Sequence, residues 1–302
     1  MKPALNLFIV TSTIATYAGA IYLGPERETI NRLITSLDAP KPWVYRQLVP
    51  MLARWLDLLI PLDVAIFLLV TASGVGLFVA LRKLAGEFSS GTDRTDFYLM
   101  LSVLVGLFLL GDYLTLYDLT TAFLFTLALY YLKSDQEHKY LLLFPLICLN
   151  RETAFLLTVF CFMWMKTPRD YEFIFLQVFA FVSTQLILRG NFADNPGLGV
   201  WVNPMENLEK FAADPARTLI HLSITAVILW AVLRDWGSKP AFLRLAFVTF
   251  APALFVMYII CGQSFETRVF WELMPVASLL VIQSKKRSRY ESITGQVAQN
   301  IT

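Results

Sequence analysis

Charged side chains stand at the ends of apolar runs in four distant parts of this sequence. Such groups are costly at membrane depth unless they are paired or line a wet cavity, so their first interpretation is functional. Their clustering at one depth strengthens that interpretation. The charged set comprises Arg46, Asp112, Asp118, Arg151, Glu152, Glu266, Arg268 and Glu272, and the polar Asn150 precedes Arg151.

This combination of side chains suits group transfer from a phosphate. The forked donors of arginine match a phosphate, and a carboxylate can take the proton of a hydroxyl acceptor. Glu152 and Glu272 are expected to orient the arginines, with Asn150 and Glu266 beside the substrate. The predicted phosphate ligands are Arg46, Arg151 and Arg268, and the predicted base or acceptor ligand is Asp118 or Asp112.

A structural alternative accounts for the same residues taken singly. Arg151 with Glu152, and Arg268 with Glu272, could be ion pairs that pin helices together. The sequence leaves both interpretations open for each pair. The aromatic residues near these charges, Tyr117 and Trp271 among them, are predicted to be membrane-interface anchors.

The elements that must position these residues are apolar helices. The chain is 57% hydrophobic and 16% charged, with mean hydropathy +0.59, which predicts an all-α polytopic membrane helical bundle without a soluble domain. About ten hydrophobic runs indicate as many helices, several shorter than the ~20 residues of a full span. They lie at 4–23, 62–81, 97–111, 118–132, 139–149, 153–165, 172–188, 217–233, 242–260 and 268–283.

Basic residues give the predicted orientation. If every run crosses and the N-terminus is cytoplasmic, each later cytoplasmic loop holds at least two Lys or Arg, whereas segment 112–117 on the other side holds none. Merging 139–165 into one helix would place Lys285 and Lys286 outside, so we predict two helices there. The domain then spans 1–283, with outer loops 24–61 and 189–216, and a cytoplasmic tail at 284–302.

Four segments together resemble a family of small bacterial membrane proteins similar to the GT-C superfamily of polyprenyl-phosphate-sugar-dependent glycosyltransferases. These are Tyr45-Arg46 with Pro50, Tyr117-Asp118 opening a helix, Asn150-Arg151-Glu152-Thr153-Ala154, and Arg268 with Glu272 and Pro275. The resemblance implies a GT-C-like fold with an extracytoplasmic active site. It also implies a catalytic acid in the first outer loop, for which Glu26-Arg27-Glu28 is the nearest match, with Glu28 as the candidate and Asp38 as a second candidate.

We therefore predict a glycosyltransferase of the cytoplasmic (inner) membrane that moves a sugar from a polyprenyl-phosphate donor to a glycan, lipid or protein acceptor. The alternative is a non-catalytic GT-C-like subunit that binds lipid or scaffolds a larger membrane complex. We expect no nucleic-acid partner and name no metal ligands, and the sequence leaves the cofactor open, a divalent metal included. Both termini are predicted to be cytoplasmic.

Overall fold

Helices make up all the secondary structure that the computed structural model describes, which covers residues 3–22, 35–88, 93–110, 117–165, 167–197, 204–261 and 267–283. Within those ranges no strand occurs. The α-helices are α1 Pro3–Tyr22, α2 Leu48–Leu56, α3 Leu62–Gly86, α4 Asp93–Leu110, α5 Asp118–Lys133, α6 Glu137–Asn150, α7 Phe155–Trp164, α8 Pro168–Asn191, α9 Pro204–Ala213, α10 Pro215–Leu233, α11 Ala241–Cys261 and α12 Met274–Gln283. Short 3-10 helices occur at Trp43–Tyr45, Glu152–Ala154, Trp236–Ser238 and Thr267–Glu272.

Four of these helices are long and apolar enough to cross a membrane. The qualifying segments are Leu62–Gly86, Asp170–Asn191, Pro215–Leu233 and Ala241–Cys261. Shorter apolar helices occur at Ala4–Gly19, Thr95–Val105, Glu152–Trp164 and Met274–Gln283. The predicted all-helical fold is therefore confirmed for the described residues, with four candidate membrane spans, while the count of ten spans stays a prediction.

Helix α3 packs closely against α1 and α5 at the centre of the bundle. A Cβ added at Gly74 would lie 2.7 Å from Ile14 Cδ1 of α1, and one at Gly76 would lie 2.9 Å from Phe123 Cε2 of α5. Without a hydrophobic driving force between helices in lipid, such close packing at small residues supplies the attraction. The start of α5 is thereby held firmly in the core.

The chain reverses direction between α6 and α7. Cys161 Sγ of α7 lies 3.8 Å from Tyr140 Oη near the start of α6, and that hydroxyl donates to Gln177 Oε1 of α8 at 2.8 Å. A single merged helix over 139–165 would separate Tyr140 and Cys161 by about 30 Å at 1.5 Å per residue. The predicted separation into two helices is therefore what the structure shows, with the turn at 151–154.

Hydrogen bonds join the two predicted outer loops to each other. Lys41 N donates to Pro196 O at 2.8 Å, and Asn195 Nδ2 donates to Leu37 O at 2.6 Å and to Ala39 O at 3.0 Å. The described parts of the predicted outer loops 24–61 and 189–216 therefore contact each other. Within these loops α2 and α9 are helical, and the predicted tail 284–302 lies outside the described residues.

Lysines gather at the opposite end of the bundle. Lys83 Nζ lies 5.7 Å from the ring centroid of Tyr130, and Lys139 Nζ lies 5.9 Å from that of Tyr131. Because α5 runs from Asp118 to Lys133, these contacts lie a full helix length away from Asp118. The arrangement agrees with the loop charge bias, although the side of the membrane that each end faces stays a prediction.

Candidate functional site

Five ionisable residues from four separate segments meet at one end of the bundle. Arg46 follows the 3-10 helix Trp43–Tyr45, Asp118 opens α5, Arg151 and Glu152 form the α6–α7 turn, and Glu272 ends the 3-10 helix Thr267–Glu272. We call these five residues the charged cluster. The sequence predicted only a shared depth for them, whereas the structure brings them into direct contact.

Arg151 bridges two acids in the inner half of the cluster. Its Nη1 lies 3.2 Å from Asp118 Oδ1, and its Nε lies 3.2 Å from Glu272 Oε1. Glu272 Oε1 also accepts from the Thr153 hydroxyl at 2.8 Å. The side chains of Asp118 and Glu272 are 0% exposed and that of Arg151 is 6% exposed. This half is a sealed ion-pair network.

Arg46 and Glu152 form the outer half. Arg46 Nε lies 3.4 Å from Glu152 Oε2, and the two side chains are 14% and 28% exposed. Arg46 Nη1 donates to the Tyr117 hydroxyl at 2.7 Å, and its Cζ lies 4.7 Å from the Tyr117 ring centroid. These two side chains are the part of the cluster that is accessible from outside, and we call this part the opening of the cluster.

Hydrogen bonds from the Asn150 side chain and from the backbone hold together the segments that carry these side chains. Helix α6 ends at Asn150 because Arg151 is extended, with φ −161° and ψ 144°. The side-chain amide of Asn150 donates from Nδ2 to Thr121 Oγ1 at 2.7 Å and to Tyr117 O at 3.3 Å, which joins the turn to α5. Gln47 N donates to Leu149 O at 2.8 Å, which joins the Arg46 segment to the same turn.

The charged cluster contains three carboxyl groups against two guanidinium groups. Burial alone would lower the pKa of Arg46, but the Tyr117 hydroxyl and the carboxylates of Glu152 and Asp118 outweigh it and raise that pKa. Burial raises the pKa of Glu272, although Arg151 and the Thr153 hydroxyl oppose the rise. An excess acid in a dry network favours retention of one proton.

Three buried polar atoms at or beside the cluster have no hydrogen-bond partner among the described residues. They are Asn150 Oδ1, Glu272 Oε2 and Trp271 Nε1. An unsatisfied buried donor or acceptor costs about 1–3 kcal/mol. Such costs are tolerated most often where a site serves function rather than stability.

The predicted site residues fall into three groups. Arg46, Asp118, Arg151, Glu152 and Glu272 meet in the cluster, with Asn150 supporting the turn. Arg268 lies in the 3-10 helix Thr267–Glu272, and its side chain lies outside what the structure describes. Glu28, Asp112 and Glu266 lie outside the described residues altogether.

Sequence reasoning missed the contributions of two aromatic residues and one threonine. Tyr117 and Trp271 are 0% exposed, so they lie inside the protein rather than at the membrane interface, and Tyr117 holds Arg46. The position of each aromatic residue directly before a predicted site acid, Asp118 or Glu272, was the sequence feature that could have indicated a place in the cluster. The Thr153 hydroxyl donates to Glu272 Oε1, a contact that the place of Thr153 in the turn motif alone could not reveal.

The described part of the chain contains no group of three or more His, Cys, Asp or Glu side chains placed to hold a metal ion. The three cysteines are free thiols, and Cys148 and Cys161 are buried. No family model, no curated protein and no solved structure matches this chain.

Proposed function

We propose that this chain is a membrane glycosyltransferase that moves a sugar from a polyprenyl-phosphate-linked donor to a glycan, lipid or protein acceptor. The observation that carries the proposal is the convergence of two arginines and three acids at one end of an apolar helical bundle. A lipid-linked donor suits this architecture because its tail can remain in the bilayer while its phosphate reaches the charged end.

Arg46 is the described residue best placed to bind the phosphate. Its side chain is 14% exposed at the opening of the cluster, and the Tyr117 hydroxyl at 2.7 Å fixes its orientation. Arginine pairs with phosphate through its planar fork and stays charged at all physiological pH values. Arg151 instead supports the site from within, because both of its acid partners are buried, and Arg268 remains a proposed ligand through the family resemblance.

The proposal includes a GT-C-like arrangement of about ten helices in the cytoplasmic membrane, with both termini in the cytoplasm and the cluster on the outer face. The four spanning helices and the shorter apolar helices are compatible with it. The lysines at the far end of the bundle support the orientation, since basic residues collect on the cytoplasmic side.

Mass spectrometry of copurifying lipids tests the proposal directly. We expect a polyprenyl phosphate, bare or glycosylated, with the wild-type protein and its depletion from an Arg46→Gln variant. Arg189→Gln is the matched control, because Arg189 is exposed near the same end and lies 5.8 Å from the Tyr45 ring, outside the cluster. Equal amounts of ordinary phospholipids, and no polyprenyl lipid, in all three preparations would contradict the proposal.

A second candidate is a non-catalytic GT-C-like subunit that binds lipid or scaffolds a membrane complex. The observation that favours it is the sealed half of the cluster, because Arg151 with two buried acids can serve to join segments. This candidate predicts that the purified protein consumes no polyprenyl-phosphate sugar, even when an acceptor is supplied.

A further inference from the structure

The three acids of the charged cluster differ in whether a substrate can touch them. The side chains of Asp118 and Glu272 are 0% exposed, whereas that of Glu152 is 28% exposed. A general base must come within hydrogen-bond distance of the proton that it removes. Among the described acids of the cluster, Glu152 is the one that meets this condition.

The contacts of Glu152 leave it available. Arg46 Nε lies 3.4 Å from its Oε2, longer than the ~2.7–2.9 Å of a strong charge-assisted hydrogen bond. The firmer contact of Arg46 is with the Tyr117 hydroxyl at 2.7 Å. The other carboxylate oxygen, Oε1, has no polar partner within the part of the chain that the structure describes.

The buried acids act on Glu152 through its neighbour in the chain. Asp118 and Glu272 hold Arg151 from two sides, and Thr153 on the other flank of Glu152 donates to Glu272 at 2.8 Å. Glu152 thus lies between two anchored residues, at the first position of a 3-10 helix. This bracing fixes the direction of its side chain relative to Arg46.

We infer that Glu152 is the catalytic base of the proposed transfer, with Asp118 and Glu272 as positioning residues, an inference that rests on the proposed function. The Glu152 carboxylate takes the proton of the acceptor hydroxyl while the acceptor oxygen bonds to the anomeric carbon of the donor sugar. The bond from that carbon to the phosphate oxygen breaks, and its electron pair leaves with the polyprenyl phosphate. Arg46, next to Glu152, stabilises the charge of the departing phosphate.

Turnover in proteoliposomes tests the inference. Radiolabelled polyprenyl-phosphate glucose, mannose, galactose and arabinose are supplied singly with a lipid or glycan acceptor, and released polyprenyl phosphate is measured. Glu152→Gln should lower kcat by at least about 100-fold, the usual contribution of a general base, while binding of radiolabelled polyprenyl phosphate is retained. Asp194→Asn removes an exposed acid from the segment that contacts Lys41 and should leave turnover unchanged.

The pH dependence of turnover separates the base from the residues that position it. In the wild type, kcat/KM should fall on acidification as the base becomes protonated. Asp118→Asn should lower kcat, but its kcat/KM should still fall on acidification. The residual activity of Glu152→Gln should lack this fall, which we call the acidic limb of the pH profile. Glu152→Asp should recover part of the rate.

The outcomes distinguish the inference from the proposed function. If the wild type turns over and Glu152→Gln turns over within about threefold of the wild-type rate, Glu152 is not the base. The proposed transferase function would still stand. Loss of the acidic limb in Asp118→Asn, with its retention in Glu152→Gln, would reassign the base to Asp118. Absence of wild-type turnover with every donor would overturn both proposals.

Discussion

Replacement of Arg151 by methionine should be one of the most destabilising single changes available in the charged cluster. Arg151 lies 3.2 Å from an oxygen of each of two carboxyl groups whose side chains are 0% exposed. Methionine keeps much of the side-chain volume and removes the charge. The variant would therefore leave Asp118 and Glu272 buried without their cationic partner.

The magnitude follows from the cost of an unpaired buried charge. Removal of one partner from a buried ion pair costs about 3–5 kcal/mol. Two acids face one guanidinium in this half of the cluster, so one retained proton is already favoured and the variant strands one further negative charge. Binding a proton to neutralise that charge at pH 7 costs about 1.4 kcal/mol per pH unit above an ordinary pKa near 4, or roughly 4 kcal/mol. The Thr153 hydroxyl still donates to Glu272 at 2.8 Å. We therefore expect a loss of about 3–5 kcal/mol in the free energy of unfolding.

The assay is reversible unfolding in mixed micelles of mild detergent and dodecyl sulfate, followed by tryptophan fluorescence. The cost should shrink on acidification, because the stranded Glu272 carboxyl, whose pKa burial raises, binds its proton more tightly in the folded than in the unfolded state. The triple variant Arg151→Met, Asp118→Asn, Glu272→Gln should recover most of the loss. In the control Arg234→Met, the exposed pair of Arg234 with Asp235 should contribute less than about 1 kcal/mol.

A loss below about 1 kcal/mol in Arg151→Met, insensitive to pH, would refute the reasoning. It would mean that water reaches the two acids, so that the inner half of the cluster is not sealed. Failure of the triple variant to recover stability would instead show that Arg151 contributes through packing.

Three further results are expected. Gly197→Ala should destabilise the joined loops by about 1–3 kcal/mol, because Gly197 has φ +94° and a Cβ there would lie 2.8 Å from a backbone oxygen. Gly190→Ala is the control and should not destabilise them, because a Cβ at Gly190 meets open space. Limited proteolysis of the loops measures both variants. Gln177→Leu should lower the free energy of unfolding in mixed micelles by about 0.6–1.7 kcal/mol, because the buried Tyr140 hydroxyl loses its acceptor. An unchanged free energy of unfolding would show that the hydroxyl finds another partner. Burial raises the pKa of Glu272, so wild-type stability should fall as pH rises from the ordinary glutamate pKa through the higher folded-state pKa. Glu272→Gln should remove this part of the pH dependence in the same unfolding assay, and an unchanged slope would contradict the assignment.

Local pattern in the sequence was enough to predict helices and the turn between α6 and α7. The start of α8 shows where pattern alone falls short, since the apolar run begins at 172 but the helix begins at Pro168. Thr167 and Asp170 cap each other's backbone amides there, so a polar first turn precedes the apolar part. Hydropathy does not register such a turn, although the Thr-Pro-x-Asp spacing carries the signal.

The sequence by itself determined that this is an apolar, all-helical chain whose charges collect at helix ends, because hydropathy and charge are properties of contiguous residues. It could not determine which acid meets which arginine. Asp118 and Arg151 are 33 positions apart and Thr153 and Glu272 are 119 apart, and their contacts depend on how helices rotate and pack against one another. Only the tertiary structure decided that Asp118 and Glu272 are sealed around Arg151 while Glu152 faces the opening. Exposure is set by neighbouring helices, and the proposed role of Glu152 rests on its exposure.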